Sequence, residues 1–311
     1  MVTASRRKEG LETEESTWLS QGERGTVFAI WLTFRIATLI GRFCMRPIVT
    51  AIALWYRLFD RKAVNASREW LRRVHGMEPG FWAVYSHLRT FAQVTLDRAF
   101  LLSGKTKGLT FTRTGHENLP RQVRTGRGAV LLGAHLGSYE AMRAGGTDDH
   151  VRINILGYFE NARHINALLE RLNPGEAAKV IHLGKDAVGA AMKAQAAVER
   201  GEFIAILGDR VGLNDRTVRA TFFGEEAEFA AGPFLLASLL RCPVYLVFGL
   251  YHEPNRYDLY CEPFAERLVI PRKDRERGLQ EHAQRYAERL EEFCRRAPNN
   301  WFNFFDFWRR T

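Results

Sequence analysis

The 311-residue sequence is poor in cysteine: Cys44, Cys242, Cys261 and Cys294 are its four, far apart and with no CxxC pair. A disulfide framework is therefore not expected, and reduced, mostly buried thiols at a cytosolic-side location are. HExxH is absent, and His116, His150, His164 and His182 are not spaced as metal ligands. No Walker A sequence and no GxGxxG after a strand occurs. Ser138 stands in Leu-Gly-Ser-Tyr-Glu, not in the GxSxG elbow of a serine nucleophile. The first two dozen residues are polar and charged, so no cleavable signal peptide is expected. Internal repeats are lacking too. Acidic residues are in deficit, 35 against 45 Lys and Arg, which gives a formal net charge of +10. That balance favours an anionic partner: nucleic acid, an anionic membrane or an acidic protein. Without a zinc-finger or RRM-like signature, nucleic acid is set aside.

What remains is a globular composition, 46% hydrophobic and 26% charged. The length suffices for a substantial core. Residues 1–25 read as a mobile tail, residues 26–102 as a helical, membrane-interface region, and residues 103–311 as an α/β domain closing on a long helix. Val27 to Arg46 is too apolar for an ordinary surface helix. At about 100° per residue, Arg24, Arg35, Arg42 and Arg46 form one stripe. A spanning helix would bury Arg35 in hydrocarbon at about 3 kcal/mol or more. A helix lying in the interface plane, its arginines among anionic headgroups, costs less. Pro47 is expected to end that helix and Ile48–Phe59 to form another. Ala63 to Leu102 keeps a three- and four-residue apolar spacing. Downstream, apolar strand candidates (Val151–Tyr158, Val180–Leu183, Glu202–Leu207, Val244–Tyr251) alternate with helical stretches such as Asn161–Leu172 and Asp186–Arg200. Such alternation predicts an α/β fold: a mixed, partly parallel central sheet flanked by helices.

The centre of the chain is Gly128 to Glu140, an apolar run ending in Gly-Ala-His-Leu-Gly-Ser-Tyr-Glu. It reads as a buried strand that delivers His135 to the sheet's carboxyl edge, where ligands of such sheets gather. On one continuous helix His135 and Glu140 would lie about 140° apart. With His135 in a turn and Ser138 as helix cap, Glu140 can reach back, fix the ring's tautomer and leave the other nitrogen to take a proton. Alternatively, Glu140 serves the helix start and His135 is a hydrogen-bonded turn residue. Asp209, in Leu-Gly-Asp-Arg, ends another strand candidate.

The ordered set of segments resembles the bacterial lipid A biosynthesis (late, or secondary) acyltransferases of the lysophospholipid acyltransferase superfamily. His135-Leu136-Gly137-Ser138-Tyr139-Glu140 is similar to their HX4E motif. Arg163 to Leu169, Leu207 to Arg210, Phe222-Phe223-Gly224 with Ala230 to Pro233, and Pro298 to Phe302 resemble further family segments, from about residue 20 onward. Asn166-Ala167, Arg210 and Asn303 to Trp308 depart from the family pattern, which points to a sister subfamily and another acceptor. The resemblance implies acyl transfer from an acyl carrier protein (or CoA) thioester to a hydroxyl of a membrane lipid, lipid A-like or other. The thioester is a co-substrate and no cofactor is implied. His135 and Glu140 would be catalytic, with Arg163, Asp209 and Arg210 binding substrate, on the cytoplasmic face of a bacterial inner membrane. The partners are the carrier protein, the lipid acceptor and the anionic membrane surface. A thioesterase or N-acyltransferase on the same site, or a non-catalytic membrane adaptor, are the competing readings. The aromatic tail from Trp301 to Trp308 is read as packing, with an acyl-chain wall as its alternative.

Overall fold

A computed structural model describes residues 36–37, 39–146, 151–157, 179–183, 186–212 and 216–308. The expected mobile tail, the arginines at 24 and 35, the Asn161–Leu172 helix and Arg163 lie outside the described residues. The fold is mixed α/β. Seven strands form one sheet, β1 (Thr110–Thr114), β2 (Val130–Gly133), β3 (Ile153–Gly157), β4 (Lys179–His182), β5 (Phe203–Leu207), β8 (Val244–His252) and β9 (Arg256–Ala265). Their order is β1-β9-β8-β2-β5-β3-β4, with every pairing parallel except β8 with β9. β2 and β5 are neighbours, with Gly133 opposite Leu207. All four residues of β2 are buried, as expected of a parallel strand covered on both faces.

The helices are α1 (Arg42–Phe59), α2 (Arg61–His75), α3 (Phe81–Leu102), α4 (Asn118–Val123), α5 (Tyr139–Gly146), α6 (Ala187–Glu199), α7 (Gly232–Leu240) and α8 (Arg275–Arg296). The break expected at Pro47 falls earlier, at Gly41, whose φ is 93°, and α1 runs through Pro47. Near a helix start the proline removes a single ladder bond, so continuation is tolerated. The pattern from Ala63 to Leu102 divides into two helices. Gly76, at φ 67°, ends α2 with a left-handed cap, the conformation glycine adopts most cheaply. α4 is a short helix of six residues before β2.

The remaining strands, β6 (Thr217–Phe222) and β7 (Glu225–Ala230), form a separate hairpin against α8. Phe223 and Gly224 turn it with φ of 51° and 79°, the pairing of positive angles that a tight two-residue hairpin uses. β7 was not expected, because Glu225, Glu226 and Glu228 hide its alternation.

α2 and α3 share the sheet's main core. Trp70 of α2, 1% exposed, packs on Trp301 at 4.4 Å between ring centroids and donates to Pro298 O at 2.8 Å. Within the arginine stripe, Arg42 departs from its reading. Arg42 turns inward and grips Asp97 of α3 with two hydrogen bonds, at 2.7 and 2.9 Å. Asp97, fully buried, also accepts from Gln93 and Tyr257. The opposite face of α1 is apolar and exposed, with Phe43 81%, Trp55 53% and Phe59 66% accessible. Among the described residues, no helix is long and apolar enough to cross a membrane.

Candidate active site

β2 ends at Gly133 and the chain then bends through Ala134 to Ser138 into α5. Gly137 has φ 71°, and a Cβ there would sit 2.0 Å from Gly249 O of β8. Only glycine fits that contact, which presses the bend onto the sheet. Ser138 N donates to Gly249 O at 2.8 Å. As expected, Ser138 caps α5, its Oγ accepting from Ala141 N at 3.1 Å.

The C-terminal segment locks the other side of the bend. Gly137 N donates to Asn300 O and Phe302 N to His135 O, both at 2.8 Å. Asn300 fixes this segment to β8, accepting from Tyr251 N at 2.6 Å and donating to Tyr251 O at 3.0 Å.

His135 thus stands at the carboxyl end of β2 beside the carboxyl end of β5, where Asp209 stands. Nδ1 of His135 lies 2.8 Å from Asp209 Oδ1. The His135 backbone N–H also reaches the carboxylate, at 3.1 and 3.0 Å to its two oxygens. Trp301 Nε1 and Asn303 Nδ2 donate to Oδ2 at 3.2 and 2.9 Å. Asp209 is fully buried. Burial opposes its charge, but His135, Arg210 and Asn303 outweigh it and lower its pKa to about 2. An ionised carboxylate only accepts, so Nδ1 carries the proton and Nε2 holds the lone pair. Burial, then the Arg210 charge, lowers the His135 pKa despite Asp209, and Arg98 adds to that direction. The ring is neutral at pH 7 and keeps 28% exposure.

The partner of His135 is therefore Asp209, where the sequence reading had Glu140. Glu140 faces Arg98 of α3, with Oε1 2.7 Å from Nε, and accepts from Ser138 Oγ at 3.2 Å. Arg210 donates to Asn303 Oδ1 and Phe302 O, at 2.7 and 2.8 Å, so it serves the C-terminal segment. Trp301, Asn303 and Arg98 were not singled out for the site. Asn303 carried a usable signal, an amide inside an aromatic run, since buried amides need partners. The aromatic tail is core, as read: Trp301, Phe302 and Phe307 are 1, 7 and 7% exposed. Among the described residues, no cluster of three or more His, Cys, Asp or Glu side chains is set to hold a metal.

This arrangement is a neutral imidazole, held by a buried carboxylate, with one basic nitrogen at a strand edge. The sequence model of the bacterial lipid A biosynthesis acyltransferases matches residues 13–310. The chain belongs to that family. It is an acyltransferase of the lipid A type. No curated protein matches it. In this family member the carboxylate on His135 Nδ1 comes from the end of β5.

Proposed function

We propose that the chain moves a fatty acyl group from an acyl carrier protein thioester to a lipid hydroxyl, with His135 as general base and Asp209 as its orienting carboxylate. The observation that carries this is the 2.8 Å contact between His135 Nδ1 and Asp209. Nε2 takes the proton as the acceptor oxygen attacks the thioester carbonyl. The tetrahedral intermediate collapses by breaking the C–S bond, and the imidazolium returns its proton to the leaving thiolate. Asp209 stays ionised and balances the transient imidazolium. General-base action contributes roughly 10²–10⁴-fold, and positioning with oxyanion stabilisation supplies the rest.

The exposed apolar face of α1 supports attachment to the cytoplasmic face of the inner membrane without spanning it. Phe43, Trp55 and Phe59 enter the acyl boundary, as an interfacial helix requires. The net charge of +10 suits both anionic lipid and an acidic carrier protein.

The test is purified protein in anionic vesicles with acyl carrier protein thioester and candidate lipids, read by lipid mass spectrometry. One acyl chain is added to a hydroxyl lipid by the wild type and not by a folded His135→Ala variant. Full transfer by that variant sinks the mechanism, and free fatty acid appearing without acceptor identifies a thioesterase.

A further inference from the structure

Two arginines, Arg163 and Arg210, were expected to bind substrate; the fold uses Arg210 internally, and Arg163 lies outside the described residues. Arg98 stands differently. It is the charged residue of α3 next to Asp97, its side chain is 52% exposed, and Nε lies 2.7 Å from Glu140 Oε1. Among the described residues Glu140 is its sole partner. Glu140 is only 14% exposed and is itself held by Ser138 Oγ at 3.2 Å, so the carboxylate is a fixed point at the start of α5. Its closest approach to the guanidinium is at Nε, and the half-exposed guanidinium still faces solvent.

A half-exposed arginine–glutamate pair contributes about 0–1 kcal/mol to stability, so stability alone gives little use for it. Its cost lies at the site, because the Arg98 charge works against protonation of His135 and so against its strength as a base. An anionic group docked on the guanidinium cancels that field. His135 then becomes the stronger base only when substrate is in place. A planar fork of donors fits a phosphate ester better than a point charge does.

We propose that Glu140 aims Arg98 and that Arg98 binds a phosphate ester of a substrate beside His135. This rests on the acyl-transfer reading for what the phosphate belongs to, either the lipid acceptor or the prosthetic arm of the donor. Glu140 is then a positioning residue acting through Arg98.

Two measurements on the full chain test this. In the first, His135 is titrated by NMR in ring-labelled protein with inorganic phosphate against chloride at equal ionic strength. Phosphate shifts the His135 midpoint upward by roughly half a unit or more in the wild type, and the shift is absent in Arg98→Gln. No shift in the wild type, or an undiminished one in Arg98→Gln, overturns the subsite. In the second, Arg98→Gln, Glu140→Gln and their double variant are compared. Each single change raises the KM of the phosphate-bearing substrate by roughly tenfold to a hundredfold, the range for a hydrogen bond to a charged group, with kcat little altered. The double variant shows no further loss. Additive losses overturn the coupling. Whether the acceptor KM or the donor KM moves identifies the source of the phosphate. A wild type that binds phosphate but transfers nothing sinks the acyl-transfer reading and spares the subsite, while normal transfer with additive losses does the reverse.

Discussion

At the residue scale, one buried carboxylate organises the site. Asp209 accepts from the His135 ring, the His135 amide, Trp301 and Asn303, and with so many donors it remains charged in a fully buried position. Asp209→Asn keeps the shape but removes the charge and faces donors with an amide. The expected loss in kcat/KM is about 10⁴-fold, as for other histidine–carboxylate pairs, with folding checked by near-UV circular dichroism. Activity within tenfold of wild type would falsify the dyad. Asn303 supplies a finer probe because it bridges Asp209 and Arg210. Asn303→Asp sets a second carboxylate against the first, which raises proton affinity nearby. The acid limb of the pH–rate profile is expected to move up by about one unit, a change that mere loosening of the tail does not produce.

At the element scale, α3 links the outer helix to the chemistry. His87 accepts from Ser67 and donates to Trp301 O, Asp97 holds Arg42 of α1, and Arg98 holds Glu140. Arg42→Met leaves Asp97 charged and buried without its cation, a defect worth about 3–5 kcal/mol, to be read as a drop in unfolding midpoint. The face that α1 leaves exposed makes a separate prediction. Phe43→Ala and Phe59→Ala each remove a side chain worth about 1.5–3 kcal/mol on full burial, so each weakens vesicle partitioning by roughly tenfold in a flotation assay. Unchanged partitioning of the double variant removes α1 as the membrane contact. Much of this layer was legible in sequence. The alternation of apolar runs and helical spacing gave the α/β class, and the Gly-Ser step gave the cap at Ser138. The direction of α1 was not legible: its arginines and its aromatics mark opposite faces, and only Asp97, more than fifty positions away, decides which one turns inward. The same holds for the His135 partner. Glu140 is near in sequence, but Asp209 is near in space because β5 lies beside β2, and strand order cannot be read from one sequence.

At the scale of the whole molecule, the C-terminal segment ties the layers together, and His87 is where that tie meets pH. The ring is fully buried between α2 and the segment, with Nδ1 2.8 Å from Ser67 Oγ and Nε2 2.9 Å from Trp301 O. A carbonyl only accepts, so Nε2 carries the proton and the serine hydroxyl donates to Nδ1. Burial lowers the His87 pKa from 6.5 to about 4, outweighing the Trp301 carbonyl. The unfolded chain therefore binds a proton that the folded chain refuses between those two values. Stability is full above pH 6.5 and falls as pH drops toward 4, by about 3 kcal/mol in all from this group. Asp209 acts in a lower window, its folded pKa of about 2 lying below the ordinary 3.8, so its contribution is lost only as pH falls from near 4 toward 2. The two are separable. In His87→Gln, measured by denaturant unfolding against wild type, the stability difference shrinks steadily from pH 7 to pH 4.5, because the variant has no imidazole to protonate there. A difference that stays constant across that range shows that His87 is protonated in the fold, and that Trp301 is then held to α3 by an imidazolium.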